Sequence, residues 1–351
     1  MNDISRRALV ASLAASASAA SLLKLPQKVR VCIIGVEGHL GEVTEALPLV
    51  PDLEIAGAAH VTPAKAEKRF PKAKIYGDYR KMLDELKPDV VAVGNTNGER
   101  AEAVIECAAR NIHMLSEKPL GITLAEYEQV LKALGKSKSK LTTMMTMRAE
   151  PSYNALKKIV EDGALGEIVQ IDSQKSYKAP AEGDWRFTPK LYGGTIPWIG
   201  IHMIDMMRWL SGRDFVETWS IQAVKNYGFT HGMESVTGSV FRMDNGGAAM
   251  LRMDYFRPKA APTHGDDRVR LVGSKGIAEY MAATGVTLMR HDQPPEAIKT
   301  LPPKRHLFVE FLDHVYNGKL EPITWRDIDR GNRITLLAKQ SADTGKVVKL
   351  A

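Results

Sequence analysis

The chain has 351 residues, of which 44% are hydrophobic and 25% charged, and a formal net charge of +7. That length accommodates two domains with separate cores, and the composition excludes wholesale disorder, a collagen-like repeat and a multi-span membrane protein. Lys and Arg are spread along the chain among acids. The one dense run, Lys132 to Lys140, reads as a helix end and loop, and no nucleic-acid-binding motif accompanies it.

Residues 1–27 read as a targeting segment and short linker. Arg6 and Arg7 form a twin-arginine pair, followed by an alanine-rich apolar stretch from Ala8 to Leu23 with small-residue cleavage sites around Ala15 to Ala19. The stretch is too short and too weakly hydrophobic for a good membrane span. It predicts export through the twin-arginine machinery to the periplasm, the competing reading being an uncleaved helical N-terminus. A compartment without free dinucleotide then calls for a tightly held cofactor.

Val29 to Ile34 is a β-branched run that suits a buried parallel strand. Gly35, Gly38 and Gly41 follow, with a helix to about Leu49. A second strand spans Leu53 to His60, and Thr62-Pro63 opens a helix. Strands at Ala73–Tyr76, Asp89–Val93, Ile112–Ser116 and Leu141–Met147 alternate with helices at Tyr79–Leu86, Arg100–Arg110 and Leu124–Leu134. This alternation predicts a Rossmann-type doubly wound parallel sheet over residues 28–148, with ligands beyond the carboxyl ends of the strands. From residue 149 to 351 the pattern changes to α+β. A helix at Asn154–Asp162 precedes several alternating strands, with Asp244-Asn245-Gly246-Gly247 as a hairpin turn. Asp327 to Thr344 reads as helix. The second domain is thus expected to hold an open, mostly antiparallel sheet. Cys32 and Cys107 lack CxxC spacing and read as core residues.

Four motifs carry chemistry. Gly35-Val36-Glu37-Gly38-His39-Leu40-Gly41 follows the first strand, where backbone N–H groups at a helix start can approach a pyrophosphate. This assigns Gly35, Gly38, His39 and Leu40 to a cofactor. The second strand ends at His60 rather than the acid usual for NAD, while Lys65, Lys68 and Arg69 on the next helix could meet a 2′-phosphate, so NAD and NADP both remain open. Asn95 and Asn97 after the fourth strand either face the nicotinamide ribose or form a capped loop. Glu117-Lys118-Pro119 ends the fifth strand and aims an ammonium into the ligand crevice. Finally, Gly193-Gly194 leads into an apolar helix carrying His202 and Asp205 on one face, and His202 suits proton removal from an alcohol. His264-Gly265-Asp266-Asp267 reads as a polar loop rather than a metal site.

Together these residues resemble the Gfo/Idh/MocA (glucose–fructose oxidoreductase, inositol dehydrogenase, rhizopine catabolism) family. The resemblance is carried by Glu117-Lys118-Pro119, Arg148, Gly163 to Ile168, Asp184-Trp185-Arg186, Gly193-Gly194, Gly200, His202, Asp205, Arg208-Trp209-Leu210, Gly212 and Gly273-Ser274-Lys275-Gly276. It implies NAD(P)-dependent oxidation or reduction of sugars, cyclitols or related polyols, with homo-oligomers formed through the open sheet. Lys118 matches the lysine that contacts substrate and cofactor, Glu117 belongs to the same motif, and His202 matches the acid/base histidine. Arg148, Trp185, Trp198, Lys118 and His202 are expected around the substrate. The chain departs from the family at Trp198, where an aspartate is usual, and at Arg100, where a histidine is usual. Those departures keep two further outcomes open: redox-assisted glycoside cleavage without net redox change, and a non-catalytic binding protein.

Overall fold

The computed structural model describes residues 22–61, 68–225 and 227–350. The twin-arginine pair and the helix expected from Thr62-Pro63, including Lys65, lie outside them. No helix among the described residues is long and apolar enough to cross a membrane.

The first sheet contains β1 (Val29–Ile34), β2 (Leu53–Ala59), β3 (Lys74–Tyr76), β4 (Val90–Val93), β5 (His113–Ser116) and β6 (Leu141–Thr143), in spatial order 3-2-1-4-5-6. Every pairing is parallel. Val31, Cys32, Ile33 and Ile34 are all fully buried, because helices cover both faces and leave no place for alternation. Reversal of strand order between β1 and β4 opens a crevice at the carboxyl edge, where a dinucleotide can lie.

The helices of this domain are α1 (Gly41–Ala46), α2 (Tyr79–Leu86), α3 (Asn97–Ala109) and α4 (Leu124–Leu134). Helix α3 begins three residues before the expected Arg100. Thr96 is extended at its N-cap, and its hydroxyl donates to Glu99, a Thr-x-x-Glu signature of a helix start. β6 is shorter than expected because the chain turns into a 3-10 segment at Thr146–Ala149.

The second sheet has nine strands: β7 (Ile168–Tyr177), β8 (Phe215–Ala223), β9 (Val236–Met243), β10 (Ala248–Asp254), β11 (Gly265–Gly273), β12 (Gly276–Met281), β13 (Gly285–Arg290), β14 (Gln293–Ile298) and β15 (Val348–Lys349). Their order is 14-13-12-11-7-10-9-8-15. All pairs are antiparallel except β7 with β10. Helices α5 (Pro151–Glu161) and α6 (Ile201–Ser211) cover one face.

Helix α7 (Leu307–Asn317) returns to the first domain, where Phe308, Phe311 and Leu312 enter its core. Helix α8 (Trp325–Thr344) touches both cores, with Ile328 and Leu336 on the Rossmann side and Ile334 and Ala338 on the other. The crevice is therefore walled by the first sheet, α6 and α8.

Candidate active site

The glycine loop lies tight against the strand ends. Gly35 has φ +75°, and a Cβ there would sit 2.5 Å from Asn95 Cα. Gly38 has φ +78°, and its Cβ would fall on the Glu117 carboxylate. Both positions need glycine for conformation and for close approach. The loop is latched to the fifth strand. The His39 backbone N–H donates to Glu117 Oε1, and His39 Nδ1 lies 2.8 Å from the same oxygen. Burial alone would raise the Glu117 pKa, but His39, Lys118 and Arg100 together hold it at about 2, so it is ionised.

Lys118 follows at the end of β5. Its Nζ donates to the Trp198 carbonyl at 2.8 Å and lies 3.8 Å from the centroid of the Trp198 ring. It is 1% exposed. Burial, with the charges of Arg100 and Lys175 acting in the same sense, pulls its pKa down to about 7 against the pull of Glu117. The cation–π contact is worth about 2 kcal/mol in a desolvated setting and holds the amine without making it a strong acid.

Gly193 and Gly194, both at positive φ, set up a wide helical turn at Ile196–Gly200 that runs into α6. This turn places Trp198 under Lys118 and His202 on the first turn of α6. His202 is buried, and its Nδ1 has no hydrogen-bond partner among the described residues. Burial, then Lys118, His39 and Lys175, hold its pKa well below the ordinary value. It is therefore a neutral imidazole, ready to accept a proton. The His39 and His202 rings meet edge to face with centroids 4.9 Å apart.

The remaining expected residues have varied positions. Trp185 joins the group: its ring is edge-on to Trp198 at 5.5 Å, and its Nε1 donates to Glu37 Oε2 at 3.1 Å, bridging the glycine loop and the second domain. Asn95 holds the Glu99 carbonyl through Nδ2, and its buried Oδ1 is unpartnered among the described residues. Asn97 turns away from the crevice. Its Nδ2 donates to the Tyr192 carbonyl and its Oδ1 accepts from Arg100. Leu40 is buried and would touch a Cβ on Gly94, so only its backbone faces the loop. His60 stands exposed at the end of β2 with φ +55° and its ring edge-on to Tyr79. Arg148 is occupied by a bidentate pair with Asp205, at 2.8 and 2.6 Å, and by Asp327 at 3.1 Å. Asp205 therefore serves Arg148, although it shares a helix with His202.

Three side chains take roles in the site that the sequence did not assign to them, Arg100 having stood out only as a departure from the family. Buried Arg100 donates to Asn97 Oδ1, the Pro119 carbonyl and the Asn95 carbonyl, tying the β4 loop to the Lys118 turn. Lys175 on β7 is buried against Asp267 at 2.7 Å and adds positive charge beside Lys118. Glu37 gains its meaning only from Trp185. A Thr-x-x-Glu start at Thr96 to Glu99 could have marked the helix that carries Arg100; nothing local marks the other two.

The crevice suits a dinucleotide. Two glycines remove the side chains that would obstruct its approach, the start of α1 lies beside them, and Asn95 Oδ1 offers an unused buried acceptor. His39, Lys118 and His202 converge beyond that edge, where a substrate carbon and its hydroxyl could meet the cofactor.

Comparison with known proteins bears on the fold and the family. Residues 29–145 match the NAD-binding Rossmann-fold model of the GFO/IDH/MocA oxidoreductase family, and residues 153–279 match the family's C-terminal domain. A myo-inositol 2-dehydrogenase of Thermotoga maritima is 24% identical over 92% of this chain and 98% of its own length. A solved oxidoreductase structure from Thermotoga maritima superposes with a TM-score of 0.86 at 31% identity, over 92% of this chain and 100% of that one. A levoglucosan dehydrogenase solved with NADH shares the fold, with a TM-score of 0.79 at 20% identity, over 93% of this chain and 100% of that one. The chain belongs to the Gfo/Idh/MocA family of NAD-binding oxidoreductases.

Proposed function

We propose that this protein is an exported dehydrogenase that moves a hydride between a nicotinamide dinucleotide and a cyclitol, sugar or related polyol. The observation that carries the reading is the buried Lys118–His202 pair at the carboxyl edge of the Rossmann sheet, with the lysine pKa near 7. The bound dinucleotide supplies the hydride acceptor or donor. Lys118 donates to the substrate oxygen and stabilises the charge that develops on it. His202, neutral before reaction, takes the hydroxyl proton in oxidation and returns it in reduction. Trp198 and Trp185 present aromatic surface to the apolar face of a sugar ring.

Lys68 and Arg69 beside the glycine loop, with no acid among the described residues at the end of β2, leave a place for the 2′-phosphate of NADP as well as for NAD. The twin-arginine segment supports periplasmic export with the cofactor already held inside. The open face of the second sheet supports assembly with further copies of this chain.

The test is direct. Protein purified from the periplasm is denatured, the released nucleotide is identified, and absorbance at 340 nm is followed with myo-inositol and levoglucosan. Lys118→Met and His202→Ala should each lower turnover by about 100- to 1,000-fold. Wild-type turnover in both variants would remove the assigned roles. Trp198 in place of an acid also favours a variant outcome, transient oxidation followed by loss of a glycosidic substituent. Sugar release from a synthetic glycoside with no net change at 340 nm would identify it.

A further inference from the structure

Oxidising an alcohol leaves one proton to dispose of, and His202 has no evident outlet. It is buried, and its Nδ1 lacks a hydrogen-bond partner among the described residues. Three titratable groups act on it: Lys118, His39 and Lys175. Lys118 is enclosed and donates to the Trp198 carbonyl. Lys175 is equally enclosed and ion-paired with Asp267. Neither reaches water. His39 does: 34% of its side chain is exposed, and its ring touches that of His202.

Glu117 also prepares the His39 ring for this work. An ionised carboxylate only accepts hydrogen bonds. With Glu117 fixed in that form and 2.8 Å from Nδ1, the proton of neutral His39 belongs on Nδ1, which leaves Nε2 as the basic nitrogen. The backbone N–H of His39 donates to the same carboxylate oxygen, so ring and loop are held together.

We propose that His39, oriented by Glu117, relays the substrate's hydroxyl proton from His202 to bulk water. The proposal rests on the dehydrogenase reading above. In oxidation the substrate O–H bond breaks, its proton moves to His202, and its electron pair completes the new C=O bond. The C–H electron pair leaves with the hydride to the dinucleotide. His202 then passes a proton to His39 Nε2, and His39 releases one to water. Both rings end neutral and one proton is in solution. In reduction the same path runs inward.

His39→Asn tests the relay in the full chain. The asparagine amide keeps an N–H near the Nδ1 position, so the bond to Glu117 survives while Nε2 is lost. NADH affinity is read by fluorescence titration, and turnover is compared with NAD at saturation, so that a change in cofactor binding does not enter the comparison. Turnover of myo-inositol at pH 7 should fall by about 100-fold with little change in KM, and added imidazole should restore it. Exchange of the His202 ring N–H with solvent, read by NMR on imidazole-15N-labelled protein, should slow by about tenfold or more. That measurement needs no substrate, so it separates failure of the relay from failure of the dehydrogenase reading. If the asparagine variant does not fold, His39→Gln takes its place in both measurements. Wild-type exchange in the folded variant overturns the relay, as does a loss of turnover that imidazole does not restore.

Discussion

Lys118 sits where its own charge is costly. Burial depresses its pKa from 10.5 to about 7. Between those values an unfolded chain keeps the proton and the folded one releases it, so this residue makes stability rise with pH across that window. Below pH 7 the buried ammonium carries its full penalty. Lys118→Met keeps the stem and removes the charge. Even after loss of the Trp198 contact it should be more stable than wild type at pH 6 by about 2–3 kcal/mol. The advantage should vanish by about pH 10, where the unfolded wild-type lysine also begins to lose its proton. Urea melts of the cofactor-free proteins at both values decide it: a gap independent of pH means that Lys118 does not titrate there. Lys118 and His202 were legible because each stands in a short motif at a strand or helix end. Lys175 was not, because its partner Asp267 is 92 residues away. The Glu37–Trp185 bond joins residues 148 apart, and no local pattern announces such a pair.

At the scale of elements, the parallel sheet was readable because period and length agree: short β-branched runs alternate with helices and glycine turns. The hairpin at Asp244 to Gly247 was readable for a similar reason, since Gly246 takes φ +84° where the strands reverse. Helix α7 was missed. Its apolar stripe of Leu307, Phe308, Phe311 and Leu312 is short, and Phe308, Phe311 and Leu312 bury themselves in a core otherwise built from residues 25–144, far back in the chain. β14 was also missed, because Pro294 and Pro295 argue against a strand; it lies at the sheet edge, where unpaired backbone tolerates proline. Arg148 shows how a motif residue can belong to architecture rather than chemistry. It joins the 3-10 segment after β6 to Asp205 on α6 and Asp327 on α8. Arg148→Met leaves the Asp205 carboxylate buried and unpaired, and should destabilise the fold by about 3–5 kcal/mol. NADH affinity of the folded fraction should stay at the wild-type value. A melt near wild type with weakened cofactor or substrate binding would return Arg148 to the site.

Over the whole molecule, helices cover one face of the nine-stranded sheet, while its other face carries apolar side chains. Trp219, Ile221 and Val240 alternate outward on β8 and β9 and are 45%, 51% and 44% exposed. Trp219 and Val240 are direct cross-strand neighbours, and Met250 lies beside Val240 on β10. A contiguous apolar patch of this kind on a folded chain is the place to test for a contact between copies of this chain. Around it Asp172, Glu279, Arg252, Arg268 and Arg270 supply charges of both signs, which suits a self-complementary contact between two identical faces. Ile221→Lys combined with Val240→Lys places like charges on that contact without touching the helix-covered side. In sedimentation velocity at micromolar concentration the wild-type protein should run as a dimer or larger. The double variant should run as a monomer with an unchanged far-ultraviolet spectrum and unchanged NADH affinity. A wild-type monomer, or a double variant that stays assembled, would show that this face is not the joint. Because α8 lies on the opposite side of the same sheet and also touches the Rossmann core, a bound second copy would stiffen the wall behind Lys118 and His202. The monomeric variant should therefore also lose activity at a lower temperature than the assembled protein, with the same KM below that temperature.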